Sequence, residues 1–261
     1  MLGKLLKYEV PAMGRKILPL YAAWAVTALF LGLSTQSAES KSEFIVAISG
    51  LLYAIVATAI LVMTVILIVQ RYSNSLLGDE AYFNHVLPVS ASAHIGNKLI
   101  SATLWVFVTV LVAILTGLLS SIGALIVSGD KFSLSELIQS LMEAEFNFPK
   151  HFGLIVLEIL ILTMGSVVKT VMQIYAAITI GHQAANHTTL ASIGAYILVL
   201  MFEAMVGRMI MPILISAGLN EAEGIMTITK VFFPALIVTL AFAAIYFFVC
   251  KYLMEKHLNL A

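Results

Sequence analysis

The sequence predicts an all-α membrane protein with six transmembrane helices, an N-terminal interfacial helix and a cytoplasmic helix between the second and third spans. Of its 261 residues, 61% are hydrophobic and 11% are charged, whereas a soluble domain carries about 25% charged residues. Apolar runs of about 20 residues, the length that crosses a bilayer, recur along the chain. No internal repeat divides it, so we predict one membrane domain over residues 1–261.

The charge balance and the cysteine content limit the classes of partner and of covalent structure. The net formal charge is zero, so no basic field favours binding to nucleic acid. The single cysteine, Cys250, can form no intrachain disulfide and is predicted to be a small residue of the last span.

Residues 1–16 are predicted to form an interfacial amphipathic helix, interrupted near Pro11, that leads into the first span. Apolar residues fall near helical spacing between its basic residues, which are Lys4, Lys7, Arg15 and Lys16. A cleaved signal peptide is the alternative, because a basic start precedes an apolar run. The residues Gln36, Ser37 and Ala38 make a poor cleavage site, so we expect a retained anchor.

Six apolar runs are predicted to be the spans. They are residues 17–34, 44–69, 99–127, 152–181, 190–217 and 231–250. Four of them exceed the minimum length of about 20 residues, so these helices must tilt or project beyond the hydrocarbon. Small or helix-bending residues within them suit close helix packing or local kinks, namely Gly117, Gly123, Gly165, Gly207, Pro212 and Pro234.

The distribution of lysine and arginine predicts the orientation. With the N-terminus inside, eight of these residues lie in cytoplasmic segments and four lie outside. The inner ones are Lys4, Lys7, Arg15, Lys16, Arg71, Lys98, Lys251 and Lys256, and the outer ones are Lys41, Lys131, Lys150 and Lys230. Both termini and the segment at 70–98 are therefore predicted to be cytoplasmic.

The outer connection at 128–150 is predicted to contain a surface helix. Ser133 and Glu136 fit a capping box, in which each side chain satisfies a free backbone donor at the helix start. The following apolar residues mark one face, and they are Leu134, Leu137, Ile138, Leu141 and Met142.

The polar stretch at 71–98 is predicted to form a short amphipathic helix on the membrane surface. Its apolar residues recur at spacings of three and four, and they are Leu76, Leu77, Tyr82, Phe83, Val86 and Leu87. Asp79 and Glu80 after Gly78 suit the first turn of a helix, and Pro88 is expected to end it. A segment held at the surface by two spans is well placed to receive a soluble partner.

Four ionisable residues lie inside spans four and five, and each should face protein or water and have a partner. Lys169 and Glu203 both lie about 18–20 Å from the cytoplasmic turn, while Glu158 and Arg208 lie about 35 and 27 Å from it. We therefore predict a Lys169–Glu203 ion pair and a weaker Glu158–Arg208 pair. These charges either fix the register of two helices or line a substrate or ion pathway.

No catalytic motif is present. The phosphate loop G-x-x-x-x-G-K-[ST], the zinc motif H-E-x-x-H and the nucleophile turn G-x-S-x-G are all missing. His182 and His187 share a loop without a nearby acid, so we expect solvated side chains and no metal site there. The chain is predicted not to be an enzyme, and an intramembrane enzyme is the least favoured alternative.

The motifs LGDEAY at 77–82, LPVS at 87–90 and KL at 98–99 resemble those of permease subunits of bacterial ABC transporters of the ABC-2 type. These permeases show a Y-G-D-E-G-Y-like start, an L-P-V-S segment and a lysine that opens the third span. Here Leu77 and Ala81 replace the first tyrosine and the second glycine. The sequence IGHQ at 180–183 is similar to the family's short Gly-Gln turn between spans four and five, with a histidine inserted.

The resemblance implies a half-transporter in the bacterial plasma membrane, without an ATPase of its own. Such permeases pair with a second copy or a related permease and bind two separate ATPase subunits, which carry ATP and Mg. The segment at 70–98 would be the coupling helix seated in the ATPase. The implied contact residues are Leu77, Gly78, Asp79, Glu80, Tyr82, Phe83, Leu87 and Pro88.

The predicted function is therefore the permease subunit of an ATP-driven exporter. Amphiphilic cargo such as peptide antibiotics, drugs or lipids fits the apolar spans and their few charges. Sodium efflux is the second possibility, motivated by Glu158 and Glu203. The alternative from another class is a membrane sensor or assembly factor that couples to an ATPase without moving cargo.

Overall fold

The computed structural model describes residues 2–35, 43–78, 90–128, 152–184, 187–218 and 225–256, which form helices with short turns at some of their ends and contain no strand. The helices are α1 (Leu2–Thr35), α2 (Glu43–Leu76), α3 (Ala91–Ser128), α4 (Phe152–Gly181), α5 (Thr188–Gly218) and α6 (Ile225–Lys256). Among the described residues, six helices are long and apolar enough to cross a membrane. The predicted all-α architecture with six membrane-length helices is confirmed.

Several helices extend beyond the apolar runs that predicted them. Helix α2 continues past residue 69 to Leu76, and α3 begins at Ala91 instead of 99. Hydropathy marks where a chain leaves the hydrocarbon, but backbone hydrogen bonding continues wherever the residues permit a helix. Leu76 was predicted to lie on a separate surface helix, and this is wrong, because it is a fully buried residue of α2.

The ends of α2 and α3 limit the connection between them to residues 77–90. The backbone amides of Leu77 and Gly78 both donate to the carbonyl of Ser73, at 2.9 and 2.8 Å. These bonds satisfy a carbonyl at the end of a helix, so Leu77 and Gly78 close α2. The predicted helix start at Asp79 and Glu80 lies outside the described residues. At the other end, the carbonyl of Ser90 accepts hydrogen bonds from the amides of Ala93 and His94.

Two further predictions concern helices outside the spans. The predicted interruption near Pro11 is wrong, because α1 is continuous and contains both Pro11 and Pro19. A proline removes one backbone hydrogen bond, and the many remaining bonds of this 34-residue helix carry it past both positions. The predicted surface helix at 128–150 lies outside the described residues, apart from the end of α3 at Ser128.

Backbone contacts divide the chain into two compact units that do not follow chain order. The first comprises Met1–Leu5, Ile68–Thr103 and Phe148–Ala261, and the second comprises Leu6–Leu67 and Leu104–Asn147. The single domain over residues 1–261 stays a prediction.

In the second unit, pairs of hydroxyl groups join the helices. The side-chain oxygens of Tyr21 and Thr109 lie 2.7 Å apart, and those of Ser34 and Ser49 lie 2.6 Å apart. All four side chains are buried. Because neither lipid nor an apolar interior offers a hydrogen-bond partner, these polar groups satisfy each other across helix boundaries.

Helices α1 and α3 approach each other closely at Gly32 and Gly123. A methyl group at Gly32 would overlap the carbonyl oxygen of Ser120 and lie 2.9 Å from the Cα of Gly123. Glycine at both positions lets the two backbones touch, which is a common mode of helix packing in membranes. Gly123 was predicted to serve such packing.

The Gly32→Ala variant is expected to lose about 2 kcal/mol of unfolding free energy, because the two helices must separate to admit the methyl group. The measurement is thermal unfolding of the purified protein in detergent. Gly117→Ala is the matched control, since a methyl group at Gly117 on α3 would have nothing within 4 Å. Equal melting temperatures for the two variants would contradict the close approach.

Candidate functional site

A polar cluster within the apolar spans joins α4, α5 and α6 of the first unit. Lys169 Nζ on α4 lies 2.8 Å from Glu203 Oε2 on α5. The hydroxyl of Tyr246 on α6 donates to the other carboxylate oxygen of Glu203, at 2.6 Å. We call these three residues the glutamate cluster. Since both oxygens of one carboxylate are used, Glu203 ties its helix to two neighbours at once.

The structure brings Lys169 and Glu203 together, as their matched depth predicts. Their side chains keep 21% and 14% of their surface exposed, so the pair is largely but not fully enclosed. Tyr246 was not predicted to join them. The sequence pointed to Tyr246 only indirectly. A carboxylate in an apolar span needs a hydrogen-bond donor for each oxygen, and Lys169 contacts only one of the two oxygens of Glu203.

The predicted Glu158–Arg208 pair is not formed. Both residues belong to the described part of the chain, where Glu158 is buried in α4 and Arg208 is exposed on α5 without an ion pair to it. Arg208 follows Glu203 by five residues, which rotates it by about 140° around the helix. The prediction compared depths along both helices and the shared face of Glu158 and Lys169 on α4, but not the faces of α5. Two residues so far apart around α5 cannot both face α4.

A second cluster holds the end of α2 and the start of α3 against α4. The rings of Tyr72 and Tyr175 are stacked, with centroids 3.9 Å apart and planes 9° apart. The hydroxyls of Tyr72 and Thr179 lie 2.9 Å apart, and the hydroxyl of Tyr175 donates to the backbone carbonyl of Lys98 at 3.1 Å. Tyr72 and Tyr175 are buried, so these contacts form in an interior that excludes solvent.

Helix α6 closes this second cluster. The hydroxyl of Tyr72 lies 3.9 Å from the sulfur of Met254, and the hydroxyl of Thr179 lies 3.9 Å from the sulfur of Cys250. We call Tyr72, Tyr175, Thr179, Cys250 and Met254 the tyrosine cluster. Cys250 is fully buried within it as a free thiol. Sequence reasoning missed this cluster, because its residues are uncharged and carry no signal of their partners.

The turn between α4 and α5 lies beside the end of α2. His182 Nε2 is 3.5 Å from the hydroxyl of Ser73, and its Nδ1 is 2.9 Å from the backbone carbonyl of Ile178. One ring of His182 thus contacts both α2 and α4. Among the described residues, no group of three or more histidine, cysteine, aspartate or glutamate side chains could hold a metal ion.

The implied coupling residues fall mainly in the connection between α2 and α3. Leu77 and Gly78 close α2, as described above. The others lie outside the described residues, and they are Asp79, Glu80, Tyr82, Phe83, Leu87 and Pro88. The structure therefore describes the two flanks of the connection at 77–90 and their attachment to α4.

Comparison with known proteins gives no relative. No protein-family model matches the chain, and no curated protein and no solved structure matches it either. The resemblance to ABC-2 permeases rests on the sequence motifs and the helix layout, so function must be argued from the two clusters.

Proposed function

We propose that this chain is the transmembrane permease subunit of an ATP-driven ABC exporter in the bacterial plasma membrane. One observation carries the proposal. Both flanks of the connection at 77–90 are fastened to α4, Tyr72 by ring stacking and the Lys98 carbonyl by a hydrogen bond from Tyr175. A partner that moved this connection would therefore move α4.

The arrangement suits a coupling role because the attachment is rigid and buried. Stacked rings and hydrogen bonds in a close-packed interior transmit displacement and do not absorb it. The chain has no phosphate loop, so a separate ATPase subunit would supply ATP, Mg and hydrolysis. In this proposal both termini and the connection are cytoplasmic, and a second copy or a related permease completes the membrane part.

An amphiphilic cargo is favoured over sodium. The ammonium group of Lys169 already neutralises the carboxylate of Glu203, so a sodium ion would have to displace a bound cation there. Glu158, the other acid that motivated sodium, lies on α4 with Lys169, whereas the carboxylate of Glu203 on α5 is bound by Lys169. In the described part of the chain, the structure does not place the two acids on one side of a shared cation. The apolar spans otherwise provide the environment that peptide antibiotics, drugs and lipids require.

The test is affinity purification of the chain from its native membrane in mild detergent, followed by mass spectrometry and an ATPase assay. We expect a stoichiometric soluble ATPase, and a loss of about tenfold or more in its recovery when Asp79 and Glu80 are both changed to Lys, because charge reversal opposes docking. The matched control is Glu221→Lys with Glu223→Lys, the same charge change in the predicted outer connection.

Two outcomes would count against the proposal. A stable chain without an ATPase across several detergents would favour a membrane scaffold or enzyme. A co-purifying ATPase without ATP-dependent flux of a fluorescent amphiphile into inverted vesicles would favour the sensor or assembly factor. Equal loss of the ATPase in both double variants would remove the assignment of Asp79 and Glu80 to the contact.

A further inference from the structure

The glutamate cluster and the tyrosine cluster meet the same stripe of α6. Tyr246, Cys250 and Met254 follow each other at four-residue steps, which places each beside the next along the helix. They keep 5%, 0% and 5% of their surface exposed. The stripe spans about 12 Å along the helix axis. The stripe is thus a row of enclosed side chains that belongs to both clusters, Tyr246 to the glutamate cluster and Cys250 and Met254 to the tyrosine cluster.

Each end of this α6 stripe contacts a different helix. Tyr246 hydrogen-bonds to Glu203 of α5, and Met254 contacts the hydroxyl of Tyr72 at the end of α2. Between them, Cys250 contacts Thr179 of α4. Tyr72 and Glu203 share no partner among these contacts, so any energetic link between them must pass through intermediate side chains.

Helix α5 is the element that such a link would control. Among the described residues, 6% of the most apolar stretch of α5 is buried inside the protein, compared with 17–33% of the corresponding stretches of the other five membrane-length helices. A helix with little buried apolar surface depends strongly on its few specific contacts. The two hydrogen-bonded oxygens of Glu203 are specific side-chain contacts that join α5 to α4 and α6.

We propose that the α6 stripe couples the position of the end of α2 to the contacts of Glu203 that join α5 to α4 and α6. A displacement of Tyr72 presses on Met254, the closely packed stripe passes it to Tyr246, and the hydrogen bond to Glu203 tightens or breaks. The role of this link in export rests on the proposed function. The link itself is a property of this chain alone and is measurable without an ATPase or a cargo.

The test is a double-mutant cycle on the purified full chain in detergent, with the melting temperature as the readout. Tyr72→Phe removes the hydroxyl contacts to Thr179 and Met254, and Glu203→Gln removes the charge at the other end. Residues that are not in contact usually have additive effects, whereas coupled residues do not. We expect the double variant to differ from the sum of the single variants by about 2–4 °C.

A matched cycle controls for general loosening of the protein. Tyr21→Phe also removes a buried tyrosine hydroxyl contact, the one to Thr109 in the other unit. When Tyr21→Phe is combined with Glu203→Gln, the change in melting temperature should equal the sum of the two single changes within about 1 °C. If Tyr72→Phe does not yield folded protein, Met254→Leu removes the contact between the Tyr72 hydroxyl and the stripe and replaces Tyr72→Phe in the cycle.

A third cycle tests the route. In a Met254→Ala background the first contact of the stripe is gone, so the non-additivity between Tyr72→Phe and Glu203→Gln should fall to the control level. Additive effects in the original background would overturn the proposal, and so would non-additivity that persists in the Met254→Ala background, because the link would then run along α4. Additive effects in the cycle would not contradict the permease proposal. Likewise, failure to find an ATPase in the purification would not contradict coupling measured between Tyr72 and Glu203.

Discussion

Replacing Lys169 by Met is expected to lower the free energy of unfolding by about 3 kcal/mol, because the Glu203 carboxylate would stay in an apolar span without its cation. Methionine has a similar length, so packing should change little. The hydroxyl of Tyr246 would remain as a donor to one carboxylate oxygen. Thermal unfolding in detergent and the yield of monodisperse protein measure the effect.

The control is the double variant Lys169→Met with Glu203→Gln. It removes both charges, so no uncompensated ion remains, and we expect it to recover most of the stability lost by the single change. Arg208→Met is a second control, because this exposed side chain forms no ion pair in the described part of the chain. If Lys169→Met melts at the temperature of Arg208→Met, the pair does not stabilise the fold.

Glu203→Gln alone separates the two roles that the charges could have. If the pair fixes helix register, this variant should show lower stability or expression. If the carboxylate belongs to a pathway, the variant should fold normally and lose transport. An unchanged variant in both respects would contradict the importance of the pair.

The glutamate cluster shows how far sequence reasoning reaches. An apolar chain has few intramembrane charges, and matched depth was sufficient to pair Lys169 with Glu203. Depth was not sufficient for Arg208, because a helix also has faces, and five residues turn a side chain away from its predicted partner. Counting rotation together with depth would have excluded that pair.

The tyrosine cluster shows what sequence reasoning could not reach. Tyr72 lies in a polar stretch that was assigned to the surface, and Tyr175 lies in an apolar run. Neither has a charge whose cost would demand a partner, so their stacking depends on how α2 and α4 pack. Hydropathy also placed the end of α2 at residue 69, seven residues before its observed end at Leu76. Tyr72 was therefore not assigned to this helix.

The second large effect is expected for Tyr175→Ala, which should lose about 4 kcal/mol of unfolding free energy. The change removes a buried ring from its stack with Tyr72 and the hydrogen bond to the Lys98 carbonyl. It therefore frees the Lys98 carbonyl from α4 and leaves Tyr72 attached to α4 only through its hydroxyl contact with Thr179. Tyr175→Phe keeps the stack and loses only the hydrogen bond, so it should cost about 1 kcal/mol.

Tyr252→Ala is the matched control for this prediction. Tyr252 lies on α6 with 52% of its surface exposed, and its ring carries Lys256 Nζ at 5.2 Å from the centroid. An exposed contact of this kind contributes about 0.5 kcal/mol, so the control should melt close to the unchanged protein. If Tyr175→Ala and Tyr252→Ala have the same melting temperature, the ring stack does not attach the flanks to α4. The permease proposal, which depends on that attachment, would then lose its support. If Tyr175→Ala melts far below the unchanged protein while Tyr175→Phe melts close to it, ring packing provides most of the attachment, and the hydrogen bond to the Lys98 carbonyl contributes little.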